Sequence, residues 1–299
     1  MIDFQKLFKH SVFLLLTTGF LIGLNFPLGK LAGDAGVSPI VWAFIISLGA
    51  LMVLLPLLIA HGTFSFLSAG EAGYAIVSGL ITFVSAPLLV FFLIPRTGSG
   101  YIGLMFAMSP VFTLALSLLF RIKAPDKLGI LGIAIGFVGA GLVAFSRQSG
   151  REEVELIWIL AALLIPMTLA CGNIYRTLAW PENLSPDNLA FWSHLFSAAI
   201  LLVLVVMSDG LSAFVRLSGV TTPALFQILV GGLTFPVYFR LQYYGGPVLL
   251  SQIGYVGAAV ALIAATLFLG ETYNATTWAG AGIIALAIGI TIMAQRARK

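Results

Sequence analysis

Ser146-Arg-Gln-Ser-Gly-Arg-Glu-Glu-Val-Glu155 is the most polar stretch of this chain and lies almost at the midpoint of its 299 residues. On either side the sequence is strongly apolar: 60% of all residues are hydrophobic and 9% charged, where soluble domains carry about 25% charged residues. No water-soluble fold can hide that much apolar side chain. A membrane span needs roughly 20 apolar residues, and the polar breaks place spans at roughly 11–31, 39–60, 72–94, 98–120, 127–146, 156–178, 187–207, 223–243, 247–269 and 275–294. Ten helices use nearly the whole chain, so a binding site must lie among the helices themselves.

A polar break at the midpoint prompts a comparison of the halves. Sliding one over the other by 147 to 148 positions brings Asn25 onto Asn173, Ser38-Pro39 onto Ser185-Pro186 and Ala43-Phe44 onto Ala190-Phe191. It also brings Gly98 onto Gly246, Phe120 onto Phe268, Gly132 onto Gly280 and Gly141 onto Gly289. Matches in one order at nearly one offset indicate duplication, with one unit over 1–149 and a second over 150–299. An odd number of spans per unit forces the copies into opposite orientations. The fold class expected is therefore an all-α membrane protein of ten transmembrane helices in two inverted five-helix repeats.

The charges fit that geometry. With both termini cytoplasmic, the inner side collects Lys6, Lys9, Arg121, Lys123, Lys127, Arg176, Arg240, Arg296, Arg298 and Lys299, ten of the 15 basic residues. The outer side has Lys30, Arg96, Arg147, Arg151 and Arg216. The equivalent loops Arg121-Ile-Lys123 and Leu269-Gly-Glu271 differ in charge as copies on opposite faces should. The net charge of +4 is spread over helix ends and forms no patch, so no nucleic-acid partner is expected. Cys171, the single cysteine, excludes an internal disulfide, and His10, His61 and His194 are too far apart to suggest a metal site. No cofactor is expected. The run after Lys6-Leu-Phe-Lys-His10 continues past Gly23 without a small-x-small cleavage pattern and reads as the first span, not a signal peptide.

The segment Gly254-Tyr-Val-Gly-Ala-Ala-Val-Ala-Leu-Ile-Ala-Ala-Thr-Leu-Phe-Leu-Gly-Glu271 closes in Leu-Phe-Leu-Gly-Glu. It resembles the penultimate helix of the drug/metabolite transporter superfamily, specifically of that family's ten-helix EamA-type members. Met108-Ser-Pro-Val-Phe-Thr-Leu-Ala-Leu-Ser-Leu-Leu-Phe120, Trp278-Ala-Gly-Ala-Gly-Ile-Ile-Ala and Gly23-Leu-Asn-Phe26 are also family-like. The chain departs from the pattern at Arg121-Ile-Lys123, where Gly-Glu is frequent, and at Gly257-Ala258, where Glu-Pro is common. The resemblance implies a secondary transporter exporting amino acids or related metabolites across the inner (plasma) membrane by alternating access, as a monomer or weak homodimer in the bilayer.

A carrier needs polar groups facing a shared cavity. Tyr74, Ser78, Thr82 and Ser85 recur at helical spacing in the third span, and Gln227, Thr234, Tyr238 and Gln242 in the eighth. Adding Ser251, Gln252, Tyr255 and the repeat-related pair Asn25 and Asn173 gives the candidate substrate site, with Trp42 and Met105 as apolar walls. Ser and Thr in spans also bond their own backbone. Arg176 and Arg240 sit toward helix ends, where snorkelling to the headgroups competes with binding a substrate carboxylate. No Asp or Glu lies deep in a span, which leaves His194 as the candidate for proton coupling. The competing readings are an enzyme acting on lipid-linked substrates and a channel-like pore. An enzyme is disfavoured because the sequence offers no paired carboxylates, activated nucleophile or phosphate-cradling loop.

Overall fold

In a computed structural model of the protein, the described residues are 10–122, 125–148 and 155–297. The core of the midpoint break, and with it Arg151 and the 149/150 boundary, lies outside them, as do Lys6, Lys9, Lys123, Arg298 and Lys299. Helices account for nearly all of the rest. They are α1 (Ser11–Asp34), α2 (Pro39–Ala60), α3 (Ala69–Thr97), α4 (Ser99–Phe106 with Ser109–Leu119) and α5 (Lys127–Gln148). The second half has α6 (Leu156–Leu178), α7 (Pro186–Ser208), α8 (221–245), α9 (247–269) and α10 (Ala275–Ala297).

Local chemistry sets the ends. Ser38 and Ser185 cap α2 and α7, accepting bonds from the amides of Ile40 and Asn188, and Pro39 and Pro186 follow each cap. Ser68 and Glu71 cap α3 reciprocally. The corner between α8 and α9 is made without a loop: Gly246 takes φ 73° and ψ 178°, and its counterpart Gly98 takes φ 88° and ψ 149° between α3 and α4. Only glycine enters that region without strain.

The packing repeats under exchange of the halves. α1 packs on α8 and α9 as α6 packs on α3 and α4; α2 packs on α8 as α7 packs on α3. α2 with α7 and α5 with α10 pair across the exchange axis. That symmetry is what two inverted five-helix repeats require.

Three details differ from the expected spans. α4 breaks at Ala107–Met108, just before Pro110, where proline cannot continue the amide ladder. α3 contains a π-helical stretch, Gly79–Ser85, in which the Ser85 hydroxyl donates to the Leu80 carbonyl. A 3-10 helix at Leu211–Val220 precedes α8, and its Arg216 donates to the Gly36 carbonyl between α1 and α2. At the same end the motif glutamate Glu271 joins Lys30 at 3.6 Å and Ser99 at 2.9 Å, tying α1, α4 and α9 together.

Candidate functional site

A cavity of about 700 Å³ empty volume, its opening included, lies where α1, α3, α4, α6, α8 and α9 meet. Ile22, Phe26, Phe83, Phe91, Phe106 and Phe235 are among its apolar lining. Asn25, Thr82, Ser109, Asn173, Tyr238 and Ser251 supply the polar positions. Asn25 holds the Leu21 carbonyl at 2.9 Å and accepts from Gln227 at 2.7 Å. Ser251 donates to the Val248 carbonyl at 2.7 Å. Ser109, by contrast, is fully buried with a hydroxyl that has no protein partner.

One wall hides a cation. Arg176 is 0% exposed, and its Nη2 donates to Asn173 Oδ1 at 2.7 Å and to the Tyr238 hydroxyl at 2.6 Å. Nη1 donates to the Thr82 hydroxyl, and Nε donates to Gln242 Oε1 at 2.9 Å. Gln242 then donates to the Asn173 carbonyl at 2.8 Å and to the Thr177 hydroxyl at 2.9 Å. The Tyr238 and Phe83 rings lie 5.2 and 5.6 Å from the guanidinium, near enough for cation–π attraction. Arg176 also occupies the last turn of α6, where the negative pole of the helix favours a positive charge.

Two further pockets extend the path in opposite directions. One, at the α4–α5 and α8–α9 corners, is lined by Asp126, Thr177, Tyr244, Gly246, Gln252 and Thr291 among others. The other, at the α1–α2 end, takes in Gly29, Trp42, Phe91, Pro95, Arg96 and Arg216. Phe91 lines both this pocket and the central cavity, its ring packed over Gly29; Thr177 joins the opposite pocket to the Arg176 network through Gln242. Trp42 Nε1, Gln252 Oε1 and Thr291 Oγ1 are buried at these pockets without protein partners.

The structure thus brings Asn25, Thr82, Asn173, Tyr238 and Ser251 to one cavity and puts Gln242 behind its wall. Trp42 and Gln252 belong to the two outer pockets. The remaining candidates do not reach the cavity. Tyr74 stacks on Tyr175 with ring centroids 5.8 Å apart and is not part of the cavity lining. Ser78 and Met105 are buried in helix packing. The Tyr255 hydroxyl reaches across to the Ile133 carbonyl at 3.0 Å, where Gly136 leaves room for its ring. His194 lies between Phe83 and Phe235, ring centroids 4.2 and 3.8 Å away, with Nδ1 3.2 Å from the Ser47 hydroxyl. Arg240 pairs with Asp187 at 2.6 Å.

Arg176 is the residue whose position the sequence conceals. Its place near a helix end suggests snorkelling, whereas the guanidinium turns inward. A usable signal exists in the repeat: at the same offset Arg176 falls on Leu28, and Tyr238 and Gln242 fall on Val90 and Ile94. All three counterparts are buried apolar residues.

Comparison with known proteins agrees with this architecture. The EamA-like transporter family model matches residues 9–145 and again 156–293. Proteins described as "Uncharacterized inner membrane transporter YedA" from Escherichia coli strains K12, O6:H1 and O157:H7 are each 28% identical over 200 residues, 66% of this chain. The chain spans 63% of the length of these curated relatives. A solved structure titled "Crystal structure of protein" superimposes with a TM-score of 0.69 at 14% identity, covering 97% of this chain and 99% of that one, a likeness of fold. With the family matched twice, once in each five-helix half, this chain belongs to the EamA-like transporter family.

Proposed function

We propose that this protein is a secondary transporter of the inner membrane that moves a small organic solute, an amino acid or related metabolite, in the export direction. The two inverted halves, 1–149 and 150–299, rock about the central cavity to give alternating access, with both termini cytoplasmic. The observation that carries this reading is the series of three spaces: a central cavity flanked by a pocket toward each end, one sharing Phe91 with the cavity and the other reached through the Arg176–Gln242–Thr177 chain. A carrier needs such a central site with an approach from each side. The inverted symmetry supports the same reading, because it lets one set of contacts open toward either face.

In this reading Asn25, Thr82, Asn173, Tyr238 and Ser251 are the substrate-facing set, and Ser109, which lines the same cavity, joins them. His194, wedged between the cavity-lining Phe83 and Phe235, is the candidate for proton coupling. Reconstitution into liposomes tests the function: saturable flux of at least one amino acid or metabolite from a broad panel is expected, and no saturable flux across the panel rejects it. A His194→Gln variant with unchanged flux and unchanged pH dependence rejects the coupling role.

A further inference from the structure

We propose that Arg176 is the receptor for a substrate carboxylate, and that the solute is an amphipathic monocarboxylate with an apolar body. The inference rests on the carrier reading above and narrows its substrate. A guanidinium stays charged at any physiological pH, and a buried cation without a countercharge costs several kcal/mol. Yet all four of its hydrogen-bond partners, Thr82, Asn173, Tyr238 and Gln242, are neutral. The acidic group on the neighbouring α7, Asp187, is taken by Arg240.

Three observations make this charge a site and not a packing device. First, Thr82, Asn173 and Tyr238 all line the cavity, so the guanidinium lies one side chain behind its wall. Turning the Thr82 and Tyr238 hydroxyls aside presents Nη1 and Nη2 together, the fork that carboxylates fit bidentately. Nη1 makes one side-chain bond and keeps an N–H to spare. Second, the other half of the fold packs Leu28, Val90 and Ile94 at the corresponding positions. The architecture therefore closes without a charge there. Third, Ser109 lines the same cavity, fully buried, with an unpartnered hydroxyl at the positive end of the second α4 segment. Asn25 and Ser251 also line the cavity but are engaged by protein partners, and the rest of the wall is aromatic and aliphatic, which suits an apolar body and leaves one polar pole. A dianion would strand its second charge against phenylalanine.

The test uses the full chain in proteoliposomes, with leucine, its des-amino analogue 4-methylpentanoate and its amide leucinamide as probes. Both carboxylates are expected to inhibit leucine flux, and leucinamide to do so at least tenfold more weakly. Arg176→Leu, which installs the side chain of the first repeat, is expected to cut leucine flux at least tenfold while its thermal unfolding midpoint stays level or rises. Arg176→Lys keeps the charge but loses the fork, and should raise KM with little change in kcat. Equal inhibition by amide and acid, or undiminished leucine flux in Arg176→Leu, overturns the carboxylate receptor while leaving the carrier in place. Inhibition by leucine but not by 4-methylpentanoate overturns the claim that the carboxylate alone suffices. Saturable flux of other solutes without the carboxylates also overturns the inference, and absence of all saturable flux overturns the carrier reading with it.

Discussion

Tyr238 and Arg176 should respond in opposite ways to losing their polar groups. Tyr238→Phe keeps the ring and removes the hydroxyl that accepts from Arg176, so it leaves a buried N–H without a partner. It is expected to lower stability by about 1–3 kcal/mol, measured by thermal unfolding in detergent, whereas Arg176→Leu removes donor and charge together. Arg121 offers a cleaner backbone case. It adopts φ 55° after α4, in the left-handed region that Gly270 occupies at φ 64° after α9. Arg121→Gly should relieve about 1 kcal/mol of strain and raise the unfolding midpoint, at an exposed position that touches no cavity. Spacing could pick Tyr238 and Gln242 because polar residues recurring on one helix face are conspicuous in an apolar span, and the repeat could pick Asn173 through its counterpart Asn25. They could not say which way a long side chain near a helix end turns, since snorkelling and inward burial use the same residue at the same position.

Two helices approach closely where Phe91 packs over Gly29 between the cavity and the pocket at the α1–α2 end. A methyl group at Gly29 would stand 2.5 Å from the Phe91 ring, so Gly29→Ala must displace the ring or separate α1 from α3. Flux is expected to fall severalfold in Gly29→Ala and to recover in part when Phe91→Leu is added. A double-mutant cycle reports the coupling between them. The glycines that end α3 and α8 were visible as a repeat-related pair, and their shared backbone conformation shows why both halves keep glycine there. The π stretch of α3 was not visible. Gly79–Ser85 reads as ordinary apolar helix, and an extra residue per turn leaves no mark in hydropathy. Packing between helices, which hydropathy does not encode, decides that Thr82 lines the cavity and Tyr74 stacks on Tyr175. Ridge-and-groove fit between helices likewise decides that Tyr255 points at α5.

At the scale of the molecule, the duplication was legible because matching residues and opposite charge bias in equivalent loops both survive in the sequence. It implies a labelling pattern. With Cys171 replaced, a cysteine at Arg121 and one at Thr272, each exposed, should react with an impermeant thiol reagent from opposite faces of the membrane. Reaction of both from one face would contradict the inverted arrangement.

The apolar trio Leu28, Val90 and Ile94, set against the polar network in the other half, has a thermal consequence. Parting hydrocarbon surfaces exposes them to water and carries a positive heat-capacity change, and such cohesion weakens on cooling. Separating Gln242 from Arg176 and Thr177 exposes mostly amide, hydroxyl and guanidinium groups and lacks that dependence. In the proposed alternating-access cycle, cooling should therefore favour the conformer parted at the Phe91 end and warming its opposite.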